Sequence, residues 1–146
     1  MKVAKMIVML AAVVLLVGAA GCVGQKVAPV EKNDVNFGPY KTVVILKHRL
    51  GVDSVDKDTI ALLEDLQTQL AATKLFDKVA YTCDFNHDKE TILIMAQALK
   101  GETATMRYTL TNVVTEEVLA TKDIVCDDRA KANRELVDFI VSHTKR

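Results

Sequence analysis

From Thr103 to Asn112 the chain alternates without interruption. Ala104, Met106, Tyr108 and Leu110 take one parity, and Thr103, Thr105, Arg107, Thr109 and Thr111 take the other. A helix would scatter the two sets around its circumference, whereas a strand sends them to opposite faces. The pattern demands a strand with one face on a core and one in water, as in an antiparallel sheet covered on one side. Thr115-Glu116-Glu117 then reverses the chain, and Val118 to Cys126 returns as the hairpin partner.

Earlier segments follow other patterns. Thr42-Val43-Val44-Ile45-Leu46 is a continuous β-branched run, which reads as a strand buried on both faces. Gly51 breaks it, and Asp53, Ser54 and Asp56 offer N-cap oxygens for a helix over about 57–73. Ile60, Leu63, Leu66 and Leu70 share one face of that helix, with Glu64, Gln67 and Lys74 away from it. Lys78 to Cys83 reads as a short strand, Asp84 to Glu90 as a polar turn, and Thr91 to Ala98 as another strand. Lys100-Gly101-Glu102 turns the chain into the alternating strand. Asp127 and Asp128 can cap a last helix over about 129–143, with Leu136, Val137, Ile140 and Val141 as its buried face.

The order β-α-β-β-β-β-α predicts an α+β two-layer sandwich: a mostly antiparallel five-stranded sheet with two helices on one face. The strand–helix–strand start predicts a right-handed crossover between parallel strands.

The N-terminal segment has a different character. Lys2 and Lys5 precede an unbroken apolar run from Met6 to Val17, followed by Gly18-Ala19-Ala20-Gly21-Cys22. This is the layout of a secretory signal. The run falls short of the roughly 20 apolar residues that a spanning helix needs, and no basic stop follows it. An ordinary cleavage site after Gly18-Ala19-Ala20 is the competing reading. The ending at Cys22 resembles the lipobox of bacterial lipoproteins, although Ala19 stands where leucine is most common. The resemblance implies lipidation of Cys22, removal of residues 1–21, and a mature chain held to a membrane by acyl chains, each buried methylene adding about 0.8 kcal/mol. Residues 22–40, with Pro29, Gly38 and Pro39 and no hydrophobic period, read as a lipidated tether, and 41–146 as one globular domain.

A second resemblance lies in Leu70-Ala71-Ala72-Thr73-Lys74-Leu75-Phe76-Asp77-Lys78-Val79 and in Thr115-Glu116-Glu117-Val118-Leu119. These segments look like the helix-end and hairpin patterns of small envelope lipoproteins. Those include the curli-secretion lipoproteins, the penicillin-binding-protein activators and the N-terminal domain of the Tol-system propeller protein. The likeness implies the fold and an envelope setting of the Gram-negative type. A curli-type pore does not carry over, because no further long alternating strands exist to build a barrel. Val23, rather than aspartate, follows the cysteine, and the resemblance implies an outer-membrane anchor facing the periplasm.

Chemistry is sparse. Loss of Lys2 and Lys5 with the signal leaves the mature chain slightly acidic, which gives no footprint for nucleic acid. Tryptophan is absent and aromatics are few, so stacking platforms are not expected. His48, His87 and His143 have no metal-ligand spacing with one another or with cysteine, and no cofactor or metal is expected. Asp84, Asn86 and Asp88 alternate like the start of a calcium loop, but Lys89 replaces the required glycine and Met95 the closing glutamate. The plain reading is a solvated turn. Lys47-His48-Arg49 reads as a solvated strand end rather than a lipid or acidic-partner site. The threonine row around Arg107 reads as a plain wet face, with protein docking as the sharper alternative.

Beyond Cys22, the chain holds Cys83 and Cys126. An even pair in an exported protein predicts a disulfide, with two buried thiols as the alternative. Strands running alternately would put the two at opposite ends of the sheet, so a bridge would need a bend near Cys126 or another strand order. The functional expectation is a non-enzymatic accessory or assembly module, anchored in the membrane at Cys22, whose partner is another envelope protein. A small-ligand or lipid-binding domain would instead line a cleft with Leu63, Leu70, Met95 and Met106. A cysteine-dependent enzyme would need Cys83 or Cys126 exposed beside a histidine.

Overall fold

The computed structural model describes residues 34–47, 57–99 and 103–145. The signal segment 1–21, Cys22, tether residues 23–33, His48, Arg49, Gly51, the capping group Asp53, Ser54 and Asp56, and the turn Lys100-Gly101-Glu102 lie outside them.

Among the described residues five strands and two helices follow the expected order: β1 (Thr42–Leu46), α1 (Lys57–Ala72), β2 (Lys78–Thr82), β3 (Thr91–Leu99), β4 (Thr105–Asn112), β5 (Val118–Val125) and α2 (Arg129–Ser142). They form an open five-stranded sheet in the order β2-β1-β3-β4-β5. β1 pairs in parallel with β2 and with β3, while β3–β4 and β4–β5 are antiparallel. The sheet is therefore mixed in equal parts, a correction to the mostly antiparallel expectation. Its cause is the position of β1, which lies between β2 and β3.

That insertion changes the meaning of residues 83–90. β2 and β3 run the same way, so the chain between them must return the length of a strand and pass β1. A right-handed connection stepping one way across a sheet and another stepping back must use opposite faces. Residues 84–88 accordingly lie across the outer face of β1 and β2. A small cleft of about 140 Å³ separates them from Thr42, Val44, Lys78, Ala80 and Thr82. The polar turn of the sequence reading is thus a crossover. Asp88 shapes its end, its Oδ1 accepting from the Glu90 amide at 3.0 Å and from the Thr91 hydroxyl at 2.8 Å. Val44, on the outer face, is only 2% exposed, and with Val43 and Ile45 it makes β1 buried on both sides.

The inner face carries the core. Ile92, Ile94 and Ala96 of β3, Met106, Tyr108 and Leu110 of β4, and Ala120 and Ile124 of β5 meet Leu62, Leu63, Leu66 and Leu70 of α1 and Ala132, Leu136, Val137 and Ile140 of α2. The two helices also pack on each other. Where they meet, the Asn133 amide donates to the Leu62 carbonyl at 2.9 Å and to Asp65 at 2.7 Å. Gln67, expected to face outward, is half-buried and donates to the Val79 carbonyl at 3.3 Å. Val141, expected in the core, is exposed, and Ala132 and Asn133 are buried instead. A register shift in β5 places both Val118 and Ala120 opposite the Leu110/Thr111 step, so Leu119 is the extra residue and turns into the core.

Residues 34–40, expected to belong to a tether, are tied to the domain. Phe37 is fully buried and meets Phe139 of α2 edge-on at 6.0 Å. Its amide donates to the His143 carbonyl at 2.8 Å. Asn36 Oδ1 accepts from the amides of Gly38 and Lys145, both at 2.9 Å. A Cβ on Gly38 would collide with the Lys145 carbonyl oxygen, so glycine is what permits this close approach. Residues 34–40 are a strap belonging to the domain. The sequence reading overlooked it because one aromatic among polar residues produces no period.

Candidate functional site

β1 and β5 end at the same edge of the sheet, and each is followed by a helix. Both helices therefore start at that edge. Asp128 caps α2 by accepting from the Lys131 amide at 3.1 Å. Between the helix starts and the ends of β3, β4 and β5 opens a cleft of about 470 Å³. Leu62, Ala98 and Met106 make its wall apolar, while Asp58, Thr59, Asp127 and Arg129 supply polar groups. Arg129 Nη2 stands 3.5 Å from Asp58 Oδ1, linking the two helix starts. Both side chains are exposed, so the pair contributes little stability.

Cys126 lines this cleft. Its amide donates to the Ala104 carbonyl at 2.6 Å, and its thiol donates to the Ile124 carbonyl at 3.4 Å. Burial pushes the thiol above its ordinary range, so it stays protonated at neutral pH. Tyr108 is fully buried, and its hydroxyl has no hydrogen-bond partner among the described residues. Burial first, then the neighbouring Cys126, pushes the phenol far above its usual value. None of the described residues lining the cleft is a histidine. The cleft offers shape, an apolar wall and a charged rim.

Cys83 is also a free thiol. β2 and β5 run in the same direction, so Cys83 and Cys126 follow strands ending on the same side but on opposite edges of the sheet. Four strand spacings of about 4.8 Å separate those edges, on the order of 19 Å. That exceeds the roughly 7 Å a bridge allows between Cα atoms. The expected Cys83–Cys126 disulfide is corrected to two free, half-buried thiols. The obstacle is the width of the sheet, not opposed strand ends. Cys83 shares a shallow concavity with Lys78, Asp84, Phe85, Asn86 and His87, and the His87 ring rests against Phe85 at 5.2 Å between centroids.

The four residues expected to line a ligand cleft do not meet in one. Leu63 and Leu70 are core side chains with no exposure, and Met95 stands on the outer face, leaving Met106 alone in the cleft. No group of three or more histidine, cysteine or acidic side chains among the described residues is placed to hold a metal ion. Lys47 stands over the Tyr81 ring at 5.6 Å. His143 Nδ1 lies 2.8 Å from the Phe139 carbonyl at the end of α2.

The outer face of β3–β5 is the second surface of interest. The crossover stops short of it, and both helices lie on the other side. At its middle Arg107 holds Asp123 with two bonds, Nε–Oδ1 at 2.7 Å and Nη2–Oδ2 at 2.8 Å. These bonds hold the Asp123 carboxyl below its ordinary value of 3.8. Thr105, Thr109, Thr121, Met95, Gln97 and Val125 surround the pair in register. Sequence parity identified the threonines and Arg107. Asp123 went unnoticed because its partner became visible only once β5 was paired.

No family model matches this chain, and no curated protein matches it. Among solved structures it is similar to a PelC variant dodecamer from Paraburkholderia phytofirmans. That match has a TM-score of 0.43 and 10% identity, over 81% of this chain and 96% of that one. A PelC dodecamer from the same organism in another crystal form matches with a TM-score of 0.41 and 9% identity, over the same shares. Among the described residues no helix is long and apolar enough to cross a membrane.

Proposed function

We propose that this protein is a non-enzymatic envelope module, lipid-anchored at Cys22 in the outer membrane and facing the periplasm, that docks another envelope protein on the outer face of β3–β5. The observation carrying this reading is that three-strand face, which no described element covers. At its centre Arg107 and Asp123 are already neutralised by each other. A partner can cover a paired charge with a smaller desolvation cost than a lone one. Threonines, Met95 and Val125 around the pair supply short hydroxyls and apolar contact. Anchoring rests on the apolar run ending in Gly21-Cys22.

Site-directed photo-crosslinking in native envelopes tests the docking. A crosslinker at Thr109 is expected to capture a protein partner, and one at the exposed Lys131 on α2 is not. No adduct at Thr109, or equal capture at both, overturns the reading. Replacing Cys22 with Ala tests the anchor separately, by releasing the domain from membranes and leaving the signal uncut. The cleft of about 470 Å³ with its apolar wall favours a second reading, a small apolar ligand held beside Cys126. Native mass spectrometry of gently purified protein distinguishes it: added mass that Met106→Trp abolishes would support a ligand there.

A further inference from the structure

We infer that the domain stands end-on at the membrane, with the turn between β4 and β5 seating Val114 at the lipid–water boundary. This rests on the reading that Cys22 carries lipid. The placement of the strap is the first ground. The chain enters the described structure at residue 34 and is tied at once to two elements. Phe37 and Asn36 bind the end of α2 through His143 and Lys145. Tyr40 takes a hydrogen bond from Asn112, the residue leading into the β4–β5 turn, at 3.2 Å. Asn112 also fixes that turn, its Oδ1 accepting from the Val114 and Thr115 amides at 2.9 and 3.0 Å. The lipid end of the chain is therefore joined to the domain between the end of α2 and this turn.

The second ground is where apolar surface is exposed. Single exposed valines need no explanation. Here Val114 is 50% exposed, Val118 37% and Val141 43%, and all three belong to the two elements holding the strap or to the strand the turn feeds. Of the other exposed large apolar side chains among the described residues, Met95 lies mid-face and Val125 at the far end of β5. The length of chain between is the third ground. Only residues 23–33 separate Cys22 from the described domain, and no chain of eleven residues spans more than about 40 Å.

Charge selects the kind of surface. At this end Lys41, Lys78 and Lys145 are offset by Asp34, Asp77, Glu90, Glu116 and Glu117, so the described residues give no cationic excess to draw it to anionic head groups. The contact is apolar, with the hydrocarbon boundary of a zwitterionic bilayer. The cleft beside Cys126 then points away from the membrane, about 30 Å off by the length of β3.

The natural absence of tryptophan makes the test direct. Val114→Trp and Val125→Trp are made singly in the full lipidated protein and reconstituted into phosphatidylcholine–phosphatidylethanolamine vesicles. Some of these vesicles carry lipids brominated near the glycerol end of the acyl chain. Val114→Trp emission should shift to the blue and lose most of its intensity to bromine, while Val125→Trp changes in neither respect. If the protein floats with the vesicles and Val114→Trp is not quenched, the inference is overturned. Quenching of both overturns the end-on orientation. Failure to float would remove the anchoring reading itself, and the inference with it. Adding phosphatidylglycerol should leave the quenching unchanged, and quenching that appears only with this lipid would overturn the apolar contact.

Discussion

The two halves of the sheet bury their strands differently. On the β2–β1 side, α1 lies over one face and residues 84–88 over the other, so Val43, Val44 and Ile45 are all buried. On the β4–β5 side no described element lies over the outer face, and Thr105, Arg107 and Thr109 are left partly exposed while Met106, Tyr108 and Leu110 are not, although Thr111 and Thr121 are buried among their neighbours. The sequences state the difference. β1, covered twice, is apolar at Val43, Val44, Ile45 and Leu46 in succession, and β4, covered once, is apolar at every second position from Met106 to Leu110. The comparison shows that the crossover is a covering layer, although its sequence is that of a turn.

A charge placed on the outer face of each half attacks the comparison most directly. Val44→Asp should destabilise the fold by about 4–5 kcal/mol or prevent folding, because the carboxylate would be buried unpaired beneath the crossover. Thr109→Asp, on the same face of the open half, should change stability by less than about 1 kcal/mol. Similar effects in chemical denaturation would mean that the crossover covers nothing. Phe37→Ala should cost about 3 kcal/mol in the same measurement, since it empties a core site at the join of strap and α2. A cost near zero would return residues 34–40 to the tether.

The open half depends on its ion pair. Asp123→Asn should cost about 1 kcal/mol at neutral pH. The Asp123 pKa is depressed in the folded state, so its stabilisation is present above the ordinary value of 3.8 and is lost as pH falls through the lower folded value. The gap between wild type and Asp123→Asn, followed by urea denaturation, should therefore close on acidification. A gap that widens would refute the pair's role. Thr109→Ala should lie within about 0.5 kcal/mol of wild type, which measures how little the outer face owes to folding.

All seven elements were legible because each carries its own period, cap or breaker. Thr103–Asn112 and Thr42–Leu46 declare their burial outright. Pairing was less accessible. The β3–β4–β5 meander follows from short turns, but nothing local in Thr42–Leu46 says that it takes partners on both sides. The place of β1 also decides Asp84–Glu90, which reads as a turn and is a crossover, whereas the Cys83–Cys126 bridge was expected from cysteine count and compartment, which carry no distance. Of the candidate site, Cys126 and Met106 were singled out by residue type. Asp58, Leu62 and Arg129 were not, because they converge only when two helices distant in sequence start at one edge.

The central position of β1 also sets an order in time. Thr42–Leu46 is the first strand of the domain to be made, yet its two neighbours are Lys78–Thr82 and Thr91–Leu99. Until both arrive, an apolar ribbon has two unpaired edges. Closing the pair with β3 spans nearly half the domain, which is a slow step for a chain of this size. A protein that crosses a membrane N-terminus first would expose this ribbon earliest and protect it late, when unsheltered strands are most prone to aggregate. Substitutions that slow β3 should therefore lower the yield of soluble protein more than their effect on final stability explains.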